Sequence, residues 1–260
     1  MAHEYVKVER DGPITTITFN RPEVRNALHS PAHFELDAVF NDFAADPEQW
    51  VGIVTGAGEL AFSAGNDLKH QASGGDMRSP PSGFAGLTSR FDLTKPLIAA
   101  VNGVAMGGGF EIALACDIII ASETAVFALP EPRVGLAALA GGLHRLPREI
   151  GVKNAISMIL TGRRLSAAEG QALGFVQEVV KPAQLISVAQ RWAQQICECS
   201  PMSVRASKEA VYRGLDEPSL AAAIKGQRGY PALAALFRSE DFKEGPLAFA
   251  QKRPPRWTGR

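Results

Sequence analysis

Charge of either sign is missing as a surplus in this chain of 260 residues, because 27 lysines and arginines meet 27 aspartates and glutamates. Without a basic excess to neutralise phosphates, nucleic acid is not expected as a partner. Cysteine is scarce. Cys116, Cys197 and Cys199 make no even set for disulfides, and Cys197-x-Cys199 lacks partners at metal-ligand spacing, so a reducing cytoplasm and no metal are expected. No apolar run approaches the roughly 20 residues of a membrane helix, so no membrane partner is expected. The opening MAHEYVKVERDGP has neither an apolar signal core nor the Arg- and Ser-rich, acid-poor character of a transit peptide. What remains is a chain 46% hydrophobic, enough for one large core or a core with an appendage.

The most informative stretch runs from Lys95 to Glu131. An apolar run (Pro96 to Val101) meets a turn at Asn102-Gly103, and Gly107, Gly108 and Gly109 then open the helix-like FEIALA. Glycines without side chains let a ligand approach the backbone. A helix start leaves unpaired N–H groups at the positive end of its dipole. Together these make a donor site for an oxygen gaining negative charge; the same pattern also fits a close helix–strand crossing. Glu111 falls in the first helical turn of an apolar segment, and Glu131 follows the strand-like AVFAL and a proline. Each alone reads as a cap or a solvated loop residue. With a strand returning between them, both can converge on one pocket.

Around this centre, Val6 to Phe19 reads as two strands about the turn Asp11-Gly12-Pro13. A helix is expected over Pro31 to Ala45, with Phe34, Leu36, Val39, Phe40 and Phe43 at near-helical spacing. His29 and His33 lie four apart, but no carboxylate between them completes a metalloprotease pattern. VGIVTG, from Val51 to Gly56, has the continuous apolar character of a strand buried on both faces. Gly58 to Leu68 is a loop carrying FSAGNDL. His70 to Arg90, with HQASGGDMRSPPSGF, has the composition of a mobile segment. A helix near Val152 to Leu160 and a Ser166-capped helix with a capping-box pattern follow. From Ala183 onward only helical patterns remain, which divides the chain into a core (1–198) and a helical region (199–260) packing on the core or on a neighbouring subunit.

AVNGVAMGGGFEIALACDIIIAS with FALPEPRVGL, preceded by FSAGNDL, resembles the enoyl-CoA hydratase/isomerase (crotonase) superfamily, and the likeness extends across nearly the whole chain. It implies an α/β, crotonase-like fold in which ββα repeats form a stacked-sheet spiral core, with a C-terminal helical region that builds a homotrimer or a dimer of trimers. It implies hydration of a 2-enoyl-CoA thioester, with Glu131 delivering the C2 proton and Glu111 positioning water, roles open to exchange. Backbone N–H groups of Ala64 and Gly108 are the implied oxyanion donors. Ala64, Gly65, Asn66, Asp67 and Leu68 would line the thioester and adenine end of the ligand. Arg25 is a candidate phosphate contact, and Phe249 and Lys252 are candidates for acyl-chain and CoA contact. Leu139 stands where other branches carry an aspartate, which argues against their chemistries and leaves the pocket more apolar. No cofactor is implied beyond the CoA that arrives with the acyl-CoA substrate. A dehydratase or an isomerase is the alternative within the superfamily, although isomerases generally need one carboxylate. A non-catalytic crotonase-like binding protein is the alternative outside it, disfavoured by the neutral charge and the carboxylate pair.

Overall fold

The computed structural model describes residues 3–260. In chain order the elements are β1 (Val6–Asp11), β2 (Ile14–Phe19), α1 (Ser30–Ala45), β3 (Val51–Gly56), β4 (Ala61–Ser63), α2 (Leu68–Ala72), β5 (Leu97–Val101), β6 (Val104–Met106) and α3 (Gly108–Ala115). Then come β7 (Ile118–Ser122), β8 (Val126–Ala128), α4 (Gly142–Ile150), α5 (Val152–Thr161), β9 (Leu165–Ser166), α6 (Ala167–Leu173), β10 (Glu178–Val180) and α7 (Leu185–Cys197). The helices α8 (Pro201–Leu215), α9 (Leu220–Gly226), α10 (Pro231–Arg238) and α11 (Glu240–Ala250) finish the chain.

Successive strands are dealt to two sheets. β1, β2, β3, β5, β7 and β10 line up in that order in a six-stranded sheet, and β4, β6, β8 and β9 form a four-stranded one. The β1–β2 pair is an antiparallel hairpin, while β2, β3, β5, β7 and β10 run parallel. After the β1–β2–α1 unit, whose strands both join the large sheet, β3–β4–α2, β5–β6–α3 and β7–β8–α4 each contribute one strand to the large sheet, one to the small sheet and a helix, as the ββα repeat predicts.

The residues explain the layers. All of β3 is buried, and its side chains alternate between two cores: Val54 joins the main one, Val51 and Ile53 the other. The second core is closed by Leu185, Ala189 and Ala193 of α7, packed on Ile53, Ile98 and Ile120. In the main core Phe110, Phe127 and Phe175 meet pairwise with ring centroids 5.2 Å apart, and each such pair adds about 1 kcal/mol beyond its area. Helix α1 buries Leu36, Val39, Phe40 and Phe43, whereas Phe34, which leads that spacing in the sequence, is 45% exposed.

The segment expected to be mobile is fastened over its second half. Ser82 bonds Asp37, Arg90 Nη2 pairs with Asp37 Oδ1 at 2.6 Å, and the Ala85 N–H donates to Nδ1 of buried His33 at 3.0 Å. Composition predicted mobility because it does not register partners supplied by α1. Helix α8 is tied to the core by Lys208, which pairs with Asp117 at 2.7 Å and donates to the Lys95 carbonyl at 2.9 Å. Among the described residues, no helix is long and apolar enough to cross a membrane.

Candidate active site

The site is built where β6 hands over to α3. Gly107 is the N-cap of α3, with φ +53°, a conformation that glycine adopts at little cost. Buried Phe110, Ile112, Ala113 and Leu114 anchor the helix in the core, so its first amides are held in place. The Gly108 N–H has no acceptor among the described residues, as expected at a helix start.

Across those amides runs the loop after β4. Gly65, at φ +84°, lies so close that a β-carbon there would sit 2.5 Å from the Met106 carbonyl oxygen and 2.8 Å from the Gly108 nitrogen. A single parallel bridge holds the loop, with Leu28 N–H donating to the Gly65 carbonyl at 2.8 Å and Asp67 N–H to the Leu28 carbonyl at 2.9 Å. The Asn66 N–H between them points the other way and has no acceptor among the described residues.

This corrects the expected donor at Ala64. Its N–H donates to the carbonyl of Arg25 at 2.9 Å, so it is turned from the Gly108 amide. In an extended chain, amides two residues apart point the same way. The left-handed Gly65 breaks that alternation, and Arg25 and Asn26, at φ 56° and 54°, bring the accepting carbonyl up to Ala64.

Both glutamates reach this helix start. Glu111 is 3% exposed, and its Oε1 accepts the Gly142 N–H at 2.8 Å, with the Ala140 backbone as a further donor. Glu131 follows β8, and its Oε1 lies 2.7 Å from where a β-carbon on Gly107 would stand. Its Oε2 is buried without a hydrogen-bond partner among the described residues. Burial pushes Glu111 up to about 7, with the two backbone donors opposing and the Glu131 charge adding to the rise. Burial also pushes Glu131 up. The two acids therefore act on each other at the start of α3, where one neutral and one ionised carboxyl is the favoured state.

Phe84 covers one side of this helix start, its ring carbon Cε1 2.5 Å from the β-carbon position of Gly108. The ring packs on His33 at 4.3 Å between centroids. Burial drives His33 down to about 4, so it is neutral and able to accept the Ala85 N–H.

The remaining expected residues divide. Gly65 and Asn66 border the helix start, and the Asn66 side chain donates to Gln71 at 2.8 Å. Asp67 caps α2 through the His70 N–H and pairs with Arg21 at 3.1 Å, so its carboxylate is engaged within the fold. Leu68 opens α2, half exposed. The Arg25 side chain is exposed and its carbonyl serves the loop. Leu139 is 81% exposed beside buried Ala138. Phe249 is 87% exposed, and Lys252 lies just beyond α11; among the described residues no hydrogen bond or ion pair joins either side chain to the cavity. Nor do His29 and His33 belong to any cluster of three or more metal-ligating side chains there.

Sequence reasoning missed Asn66 as a backbone donor, the Gly142 donor, Phe84 and Arg145. Only Arg145 carried a signal: it stands one helical turn after the Gly141-Gly142 pair, where a side chain folds back over the preceding turn.

Comparison with known proteins identifies the family and the fold. The family model described as enoyl-CoA hydratase/isomerase matches residues 9–260. A carnitinyl-CoA dehydratase of Escherichia coli K12 is 45% identical over 264 residues, covering 99% of each chain. Among solved structures, an enoyl-CoA hydratase from Mycobacterium marinum superposes with a TM-score of 0.92 at 40% identity, covering 98% of this chain and 99% of that one. A carnitinyl-CoA hydratase from Mycobacterium avium superposes with a TM-score of 0.79 at 39% identity, covering 100% of both. The spiral of ββα units, the glycine-opened helix and the full-length match make this chain a member of the enoyl-CoA hydratase/isomerase family.

Proposed function

We propose that this protein is a hydro-lyase of CoA thioesters, adding water across the 2,3 double bond of a 2-enoyl-CoA and removing it in reverse. The observation that carries the reading is the buried Oε2 of Glu131, unpartnered among the described residues, at the same helix start as Glu111 and the open Gly108 N–H. On this geometry we assign the proton to Glu131, whose Oε2 has no donor among the described residues, and the base to Glu111, whose Oε1 accepts the Gly142 N–H. Burial lifts Glu111 further than Glu131, to about 7, so the base form is populated above that pH.

In the hydration direction the oxygen of water bonds to C3 and its proton passes to Glu111, while Glu131 gives its proton to C2. The electron pair of the double bond is relayed through the thioester, whose oxygen carries the developing charge. Transfer of a proton from Glu111 back to Glu131 restores the starting state. Gly108 and Asn66 supply the N–H donors for that oxygen, and loss of one such donor typically removes about 3 kcal/mol of transition-state stabilisation. The chemistry involves no redox change, and CoA enters with the substrate.

A second reading within the same chemistry is favoured by the relatives named carnitinyl-CoA dehydratase: the acyl group is carnitinyl, and elimination of water is the working direction. We place the protein in the cytoplasm as a homotrimer or dimer of trimers, a reading supported by the exposed Val152, Ile156 and Leu160 along α5 and Val211 and Leu215 along α8.

The test is a spectrophotometric screen of enoyl-CoAs of graded length, with carnitinyl-CoA, against wild type, Glu111→Gln and Glu131→Gln. Each variant should lose roughly 100- to 10,000-fold in kcat while its dissociation constant for a CoA ester changes little. Near-normal turnover by either variant removes that residue from the mechanism, and a wild type inert towards every thioester overturns the reading.

A further inference from the structure

Arg145 is a cation that the reaction does not consume and that no ion pair occupies. No carboxylate lies within 4.0 Å of its guanidinium among the described residues. Its Nη2 donates to the Thr88 carbonyl at 2.8 Å, and Nη1 folds over Gly141 so closely that a β-carbon there would overlap it. The guanidinium also lies 5.8 Å from the Phe91 ring centroid. The contacts with Thr88 and Gly141 lead to the carboxylate site. Thr88 Oγ1 accepts the Phe84 N–H at 3.0 Å, and Phe84 covers Gly108. Gly141 precedes Gly142, whose N–H orients Glu111.

We infer that Arg145 is a positioning residue for Glu111: one guanidinium fastens the Phe84 wall to the Gly141-Gly142 turn, and so holds the N–H that orients the carboxylate while its unpaired charge favours the ionised form. The inference rests on the reading of Glu111 as the base. Around Glu111 the charged groups are Glu131 from the turn after β8 and Arg145 from α4. Around Arg145 they are Cys116 at the end of α3, Tyr212 of α8, and Arg148 and Glu149 of α4. Of the groups that act on Glu111, Arg145 is the positive one, so its removal takes away an attraction that favours the ionised carboxylate.

The test compares wild type, Arg145→Lys, Arg145→Met and Glu111→Gln. The protonated-carboxyl infrared band of Glu111, assigned by its disappearance in Glu111→Gln, is titrated without turnover. Arg145→Met should move the midpoint upward, and Arg145→Lys, which keeps the charge, should move it less. Lysine cannot both reach Thr88 and cover Gly141. Both variants should therefore lose about 10- to 100-fold in kcat, with KM within a few-fold of wild type. If Arg145→Met does not fold, Arg145→Gln supplies the neutral arm. An unmoved midpoint in the neutral variant, or full kcat in Arg145→Lys, overturns the inference. Normal turnover by Glu111→Gln would instead overturn the hydration reading, so the two failures are distinct.

Discussion

Gly142 donates its backbone N–H to Oε1 of Glu111 at 2.8 Å, from the first residue of α4, thirty-one positions later in the chain. The bond holds a nearly inaccessible carboxylate in one orientation and partly offsets the burial that disfavours its charge. Several properties of the protein follow from that opposition.

Hydration should depend on pH through Glu111. Burial lifts this group to about 7, and the base form is the ionised one. With crotonyl-CoA, kcat should climb as pH rises from 6 to 8, on the scale of one titrating group. A rate that is flat over this interval removes Glu111 as the base.

Stability should run the opposite way. The folded pKa of Glu111 lies above its unfolded value of 4.5, so the native state holds the proton more tightly. The stabilisation is complete below pH 4.5 and lost as pH rises through about 7. Glu111→Gln keeps an oxygen to accept from Gly142 without the charge. At pH 8 it should exceed wild type by up to about 3 kcal/mol in urea unfolding, with the gap shrinking at pH 5. Equal gaps at both pH values contradict the assignment.

Gly108→Ala should force Phe84 aside, because the new methyl would meet the ring at 2.5 Å. A ring end is deformable, so the expected cost is the roughly 1–3 kcal/mol of overpacking, together with a fall in kcat/KM. Adding Phe84→Leu should recover part of both. Strictly additive losses in the double variant would show that the two positions do not share space.

His33→Leu should leave the Ala85 N–H buried without an acceptor, at a cost of roughly 1–3 kcal/mol. Wild-type His33, held down at about 4, is uncharged in the fold but protonates at its ordinary value when unfolded. Its contribution is therefore present above pH 6.5 and lost as pH falls through 4. This acid-limb sensitivity should vanish in the variant, as followed by thermal unfolding between pH 4 and 7. An identical acid limb would exclude His33 as its source.

Local chemistry explains why so much of the architecture was readable in advance. The uninterrupted apolar run Val51 to Gly56 could satisfy its backbone and bury both faces only inside a parallel sheet, and it does. Gly107 before FEIALA announced a helix start, and Ser166 with Glu169 announced a capping box that forms with both reciprocal bonds. Phe34 misled because an apolar side chain counts toward a pattern whether or not the core reaches it.

Amide direction and long-range support were another matter. Ala64 and Asn66 differ in role because Gly65 reverses the alternation between them, a rotation that residue identity permits but does not dictate. His33, Thr88 and Arg145 become partners of one cavity wall only after α1, the 82–90 segment and α4 are packed together. By itself, then, the amino-acid order determined the repeating units, the helix that opens on glycine and the two acids. Which amides face the cavity, and which distant side chains hold its walls, was decided by tertiary packing, because a hydrogen bond's direction depends on the backbone dihedrals of both partners and not on their names.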